Sequence, residues 1–259
     1  MVSSSLRRYL PLIVPLSLIL AAAPAFAADD ASQLDTIAGG GAPGQYDQGF
    51  SGSAALGYTA TTGNTDTSSL DAKFGLAYGA ARWYHVLSAE KIRATDKGVT
   101  TASSLQAEQQ SDYLFTPNNY VFENIGYSHD DFAGVEQRTS EAIGYGRRIL
   151  HTPAQTWSAQ IGVGARQEDI QNDGSRNSAI VQLASDYSWQ ISDNSSFGEG
   201  LVVEYGTNNT RIESATSLTL KMIKDFSLVL SYTIKHNTNV PGRTENTDTY
   251  TAVSLQYAF

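Results

Sequence analysis

Four histidines and a scatter of charged side chains carry whatever chemistry this chain can do. The histidines are His85, His129, His151 and His236, and no cysteine is present. None of the four stands at the H-x-x-x-H spacing that aims two ligands at one metal. Without cysteine, neither a thiolate site nor a disulfide framework is available. No cofactor is therefore expected. His151 opens the turn-like His151-Thr152-Pro153. One nucleophile–base pairing is conceivable: Ser214 and His236 become near neighbours if their segments form a hairpin through Lys224-Asp225. A hydrolytic triad also needs a third group to orient the histidine, and none stands out. Catalytic residues are therefore not assigned. The charged residues offer more. Asp71, Lys73, Glu90, Arg148, Arg166, Asp186, Glu204, Glu213, Lys221, Lys235 and Asp248 carry both signs, and each stands on the polar side of an alternating segment. Such a set suits a wet or ion-paired interior.

The elements that must position these residues read as strands. Phe226, Leu228, Leu230, Tyr232, Ile234 and His236 fall on one face of their segment, with Ser227, Val229, Ser231, Thr233 and Lys235 on the other. Trp157, Ala159, Ile161 and Val163 alternate with Ser158, Gln160, Gly162, Gly164 and Arg166 in the same way. The final segment alternates too, Val253, Leu255, Tyr257 and Phe259 opposing Ser254 and Gln256. Turn chemistry separates the runs, at Gly63-Asn64, Asp96-Lys97-Gly98, Pro117-Asn118-Asn119, Ala133-Gly134, Asn172-Asp173-Gly174, Ser192-Asp193-Asn194, Thr207-Asn208-Asn209 and Pro241-Gly242 among others. Gly63-Asn64 is read as a tight hairpin, since those residues tolerate positive φ. Twelve strands follow, at 50–62, 66–79, 82–95, 99–115, 120–130, 136–150, 156–169, 177–191, 196–207, 210–223, 226–237 and 245–259. Alternation is poorest in strands 3 to 5, where Glu123 interrupts Val121, Ile125 and Tyr127. Pro43, Pro117, Pro153 and Pro241 all fall outside the proposed strands, where a missing N–H costs no ladder bond.

The start of the chain bears on its compartment. Arg7 and Arg8 precede the apolar run from Leu10 to Ala23, followed by Ala25-Phe26-Ala27. These are the n-region, h-region and A-x-A site of a secretory signal peptide spanning 1–27, with cleavage after Ala27. Its removal leaves 15 basic against 26 acidic residues, a net charge of −11. An acidic chain without a basic cluster argues against nucleic acid as a partner. Residues 28–49 are small, polar and Gly-rich and read as a flexible N-terminal segment. The remaining 50–259 would form one domain.

Long strands of even number, with one apolar and one mixed-charge face, describe an up-and-down antiparallel transmembrane β-barrel of about twelve strands, apolar side out. With the N-terminus in the periplasm, Trp83, Trp157 and Trp189, with Phe115, Tyr120, Phe122, Phe197 and Phe226, would lie beside periplasmic turns as an aromatic girdle. Asn172-Asp173-Gly174 and Pro241-Gly242 would then lie in surface loops. Tyr257-Ala258-Phe259 resembles the terminal signal by which bacterial outer-membrane barrels are assembled. The resemblance implies two partners, outer-membrane lipid and the barrel assembly machinery. Leu56 to Gly79, Gly144-Tyr-Gly-Arg-Arg148 and the terminal Leu-Gln-Tyr-Ala-Phe resemble the salt-induced outer membrane protein family, over residues 50–259. That family has no assigned catalytic residues, and the likeness implies a link to osmotic conditions. Twelve strands fall between filled and channel-forming barrels. Gly144, Gly146, Gly162, Gly164, Gly198, Gly200 and Ala142 on the inner face would leave space. A narrow passive route for small solutes or ions is the first reading. A closed structural barrel and an outer-surface lipid hydrolase are the alternatives.

Overall fold

The structure is a computed structural model and describes residues 48–61, 67–131, 135–170, 174–240 and 245–259. Every regular element among them is a strand: β1 (Gly49–Thr61), β2 (Thr67–Ala80), β3 (Trp83–Asp96), β4 (Val99–Thr116), β5 (Asn119–Asp130) and β6 (Val135–His151). The second half adds β7 (Gln155–Ile170), β8 (Gly174–Ser192), β9 (Ser195–Gly206), β10 (Thr210–Ile223), β11 (Phe226–Asn237) and β12 (Thr247–Ala258). Each pairs antiparallel with its sequence neighbours, and β12 returns to β1 to close a barrel. The observed ends fall within two residues of the expected ones, save that β8 starts at Gly174. Gly174 thus belongs to a strand, where a loop was expected. Gly63-Asn64, Ala133-Gly134, Asn172-Asp173, Pro241-Gly242, the leader with Ala27, and most of 28–49 lie outside the described residues.

Turn chemistry closes the hairpins. Lys97 and Gly98 join β3 to β4 with φ of 50° and 78°, the double positive φ that a two-residue hairpin demands. Ala81, at φ 54°, has its N–H accepted by Gln48 Oε1 at 2.7 Å. The connections on the termini's side are two or three residues long, as at Pro117-Asn118 and Asp193-Asn194. On the other side, 238–246 joins β11 to β12. The termini's rim has uniformly short turns, as in outer-membrane barrels, whereas the other rim mixes the two-residue turn Lys97-Gly98 with the longer connection 238–246.

Twelve strands about 4.8 Å apart, tilted by about 40°, give a backbone radius of roughly 12 Å. Each residue then rises about 2.5 Å along the axis, so even a twelve-residue strand clears a membrane band about 25 Å tall. Leu56, Ile143, Ile161, Val163, Leu183, Val253 and Leu255 are exposed on the outside. An aromatic row follows the termini's rim, where Trp83, Phe115, Trp157, Trp189, Phe226 and Tyr257 are all exposed. Two members of the expected girdle are not in it. Tyr120 and Phe122 are 0% and 2% exposed and point inward.

The closing seam is short. Register between β1 and β12 runs from Ser53↔Ala258 to Leu56↔Leu255. Reciprocal backbone bonds between Gly52 and Phe259, at 2.8 and 2.9 Å, extend it. A side chain on Gly52 would meet the Phe259 ring, so glycine there lets the terminal aromatic lie flat on the neighbouring strand.

Candidate functional site

The inner face is where charge collects, because alternation sends most polar residues of a lipid-facing strand inward. In the half away from the termini, three arginines meet three glutamates. Arg166 on β7 is 1% exposed; its Nη1 donates to Glu204 Oε2 at 3.1 Å, its Nε lies 3.3 Å from Glu168 Oε1, and its Nη2 donates to the Asn209 carbonyl at 2.6 Å. Arg138 on β6 donates to Glu168 at 2.9 Å. Arg211 on β10 faces Glu204 at 3.8 Å and is hydrogen-bonded to Glu213. Three positive and three negative groups balance, and the buried charges tolerate their setting because each has an opposite partner.

Long side chains also reach from one wall towards another. Lys235 on β11 donates to Gln106 on β4 at 2.9 Å, with its ammonium 5.1 Å from the Tyr250 ring centre. Arg138 on β6 donates to Asn237 on β11 at 3.1 Å. At least four strands lie between the partners of each pair, so both bonds cross much of the lumen. Nearer the termini, Gln110 on β4 and Gln160 on β7 form a reciprocal amide pair at 3.4 and 3.3 Å. The Tyr120 hydroxyl adds a bond to Gln160 at 3.4 Å.

Glycine sets the shape of this lower half. A Cβ on Gly146 would fall within the Tyr120 ring, and one on Gly144 or Gly162 would strike Phe122. The inner glycines were expected to leave open space; at these three positions they instead seat aromatic rings. Between this aromatic layer and the arginine network lies a cavity of about 110 Å³. Lys73, Glu90, Gln106, Ser231, Ser254 and Gln256 border it. Lys73 binds Glu90 at 3.0 Å and approaches Asp71 at 3.8 Å, and its side chain keeps 32% of its surface exposed. The cavity also reaches Asn124 on β5, Arg138 on β6, Glu204 on β9 and Arg211 on β10, so it spans the lumen beneath the arginine network.

The eleven charged residues singled out from sequence take these positions. Asp71, Lys73, Glu90 and Lys235 surround the cavity side, with Asp248 higher on β12 and opposite Lys235 in register. Arg166, Glu204 and Glu213 belong to the buried network. Asp186 is buried lower, on β8. Arg148 is part-buried at a β-bulge of β6, and Lys221 is exposed at the termini's end of β10. Sequence reading missed Arg138, Glu168 and Arg211, whose parity matched Ala142, Arg166 and Glu213. It also missed Glu108, Asp112 and Gln110 on β4, where alternation was obscured.

The proposed nucleophile–base pair does not form. Ser214 donates to Glu199 at 2.8 Å, and His236 Nδ1 meets Thr247 at 2.8 Å. Another serine–histidine contact is present on the outer face, His85 Nδ1 to Ser111 Oγ at 2.7 Å. Gln109 donates to the same oxygen at 2.6 Å. In register the row reads His85, Ser111, Glu123, so the serine stands between base and acid. The carboxylate therefore cannot orient the imidazole, and the order is wrong for a triad.

Three known proteins are similar to this chain. The Escherichia coli K12 protein YdiY, described as uncharacterized, is 27% identical over 222 residues, covering 83% of this chain and 86% of its own. The COG4313 outer membrane channel from Pseudomonas putida F1 is 12% identical, covering 84% and 98% of the two chains, with a TM-score of 0.48. The translocator domain of the autotransporter NalP from Neisseria meningitidis is 12% identical, covering 82% and 89%, with a TM-score of 0.46. These distant structural likenesses transfer no solute, ligand or activity. Over residues 54–259 the sequence matches the family of proteins of unknown function DUF481, and the chain belongs to that family.

Proposed function

We propose that this barrel, exported through a cleaved signal peptide and inserted in the outer membrane by the barrel assembly machinery, gives small solutes or ions a narrow passive route under changing salt conditions. The observation that supports it is the lumen cavity bordered by Lys73, Glu90 and Gln106, with Lys235 reaching Gln106 from another wall. With a backbone radius of roughly 12 Å and side chains reaching about 6 Å, two long residues from opposed walls suffice to obstruct the lumen. Such a bar is weak. A hydrogen bond to a charged group nets about 1.5–3 kcal/mol, which leaves it broken on the order of 1–10% of the time. The route is then mostly shut and opens by side-chain motion alone. The likeness to salt-induced outer-membrane proteins supports the osmotic setting.

Liposomes carrying the mature protein should swell in small solutes such as urea or glycine and not in trisaccharides. Absence of swelling in every solute, with heat-modifiable folded protein present, would reject conduction. The second reading, a closed structural barrel, is favoured by the Tyr120 and Phe122 layer with its Gln110–Gln160 pair. We assign the protein no catalytic role.

A further inference from the structure

Among the described residues, few basic side chains stand on the outward face of the wall. Arg147 lies near the termini's rim, and Lys91 and Arg93 lie together on β3 near the opposite rim. Their geometry has a direction. Lys91 pairs in register with Leu105 and Arg93 with Ser103. Lys91 Nζ nevertheless donates to Ser103 at 3.1 Å, and Arg93 Nη2 to Thr100 at 3.3 Å. Both acceptors lie nearer the β3–β4 turn than the register partners do. The two cations therefore lean along β4 towards the rim, with their stems on the apolar wall, as snorkelling side chains do.

The rim at this point is low. Lys97 and Gly98 alone connect β3 to β4, and Lys97 adds a third cation at the turn. Lys91 and Arg93, two residues apart on one face, are separated by about 7 Å along the strand. Of the neighbouring carboxylates, Asp131 is engaged by His129 Nε2 at 3.1 Å, and Asp96 flanks the turn. A chain this acidic has little else on its outer wall to hold a negative headgroup.

We propose that Lys91, Arg93 and Lys97 form a binding surface for a phosphorylated glycolipid of the outer leaflet, with the rim away from the termini on the cell exterior. Two cations on one strand suit phosphate groups carried on a single lipid headgroup, where charge attraction adds to acyl-chain contact with the apolar wall. The site lies on the outside and is independent of any passage through the lumen.

The test is native mass spectrometry of the full mature protein in detergent, titrated with bisphosphorylated lipid A. Wild type should retain the lipid, and the Lys91→Gln/Arg93→Gln variant should retain at least about tenfold less. Lys97→Gln alone should lose roughly threefold to fivefold, and monophosphoryl lipid A should bind more weakly than the bisphosphorylated form. Arg147→Gln, at the opposite rim, should bind like wild type. Heat-modifiable gel mobility would establish that each variant is folded, and the single Lys97→Gln change, in a turn, keeps the test available should the double variant not fold. Equal retention by the double variant or by Lys97→Gln would overturn the proposal. So would loss on Arg147→Gln alone, equal binding of phosphatidylglycerol, or displacement of the lipid by equimolar inorganic phosphate.

Discussion

Replacing Arg166 by methionine would remove the centre of the lumen's charge network while keeping an unbranched apolar stem. Arg166 contacts Glu204 at 3.1 Å, Glu168 at 3.3 Å and the Asn209 carbonyl at 2.6 Å, and both glutamate side chains are only 2% exposed. Arg138 and Arg211 remain, so the balanced set of three and three becomes two against three. Breaking one partner of a buried pair costs about 3–5 kcal/mol, because the abandoned charge stays out of water. Methionine packing returns part of this, and a net loss of about 3 kcal/mol is expected. The double variant Arg166→Met/Glu204→Gln restores neutrality and should lose less than the single variant, with a coupling of about 1–3 kcal/mol. Urea unfolding of barrels refolded in lipid, followed by the folded band on unheated gels, measures both. A loss under about 1 kcal/mol for Arg166→Met, or a double variant as weak as the summed singles, would refute the idea that paired charge holds the lumen together.

Three further outcomes are expected. Gly146→Ala pushes a methyl into the Tyr120 ring and should destabilise by about 1–3 kcal/mol; Tyr120→Leu in the same chain should recover most of this, and unfolding titrations of both would show it. Phe259→Ala should sharply lower outer-membrane yield in cells while the refolded protein melts close to wild type. The residue's contacts at the seam are a ring over Gly52 and two backbone bonds that alanine retains. Glu123→Leu, on the outer face between Val121 and Ile125, should stabilise the barrel by about 1 kcal/mol, since a carboxylate facing the lipid near an interface is mildly unfavourable; the same unfolding assay would detect a loss instead.

Strand number and most boundaries were legible because most turns advertise themselves, the Ala81-Arg82 turn between β2 and β3 being an exception. Lys97-Gly98 and Pro117-Asn118 punctuate segments whose period of two admits only a sheet. The faces were legible wherever the outer residues were apolar, as on β7 and β11, and there the inner charges followed by parity. They were obscured on β3 to β5 for a physical reason. His85, Gln109, Ser111 and Glu123 place polar groups on the lipid side, so hydrophobicity no longer marks which face is outward. Tyr120 and Phe122 misled differently, because Tyr120-Val121-Phe122 is apolar on both faces. Their direction is fixed by what lies opposite them, Gly146 and Gly144 in register, and an aromatic facing a glycine across a strand pair was the available signal. Bonds such as Lys235–Gln106, joining residues 129 apart in sequence, depend on barrel closure and have no local trace.

The most direct measurement is single-channel recording in planar bilayers on the mature protein and on Lys235→Ala/Arg138→Ala, which removes both side chains that cross from β11 to β4 and from β6 to β11. The wild type should give brief, small openings from a mostly closed level, and the double variant should give longer or larger ones at the same salt concentration. A folded, inserted barrel that stays silent in both forms, or a variant indistinguishable from wild type, would contradict a lumen gated by those side chains.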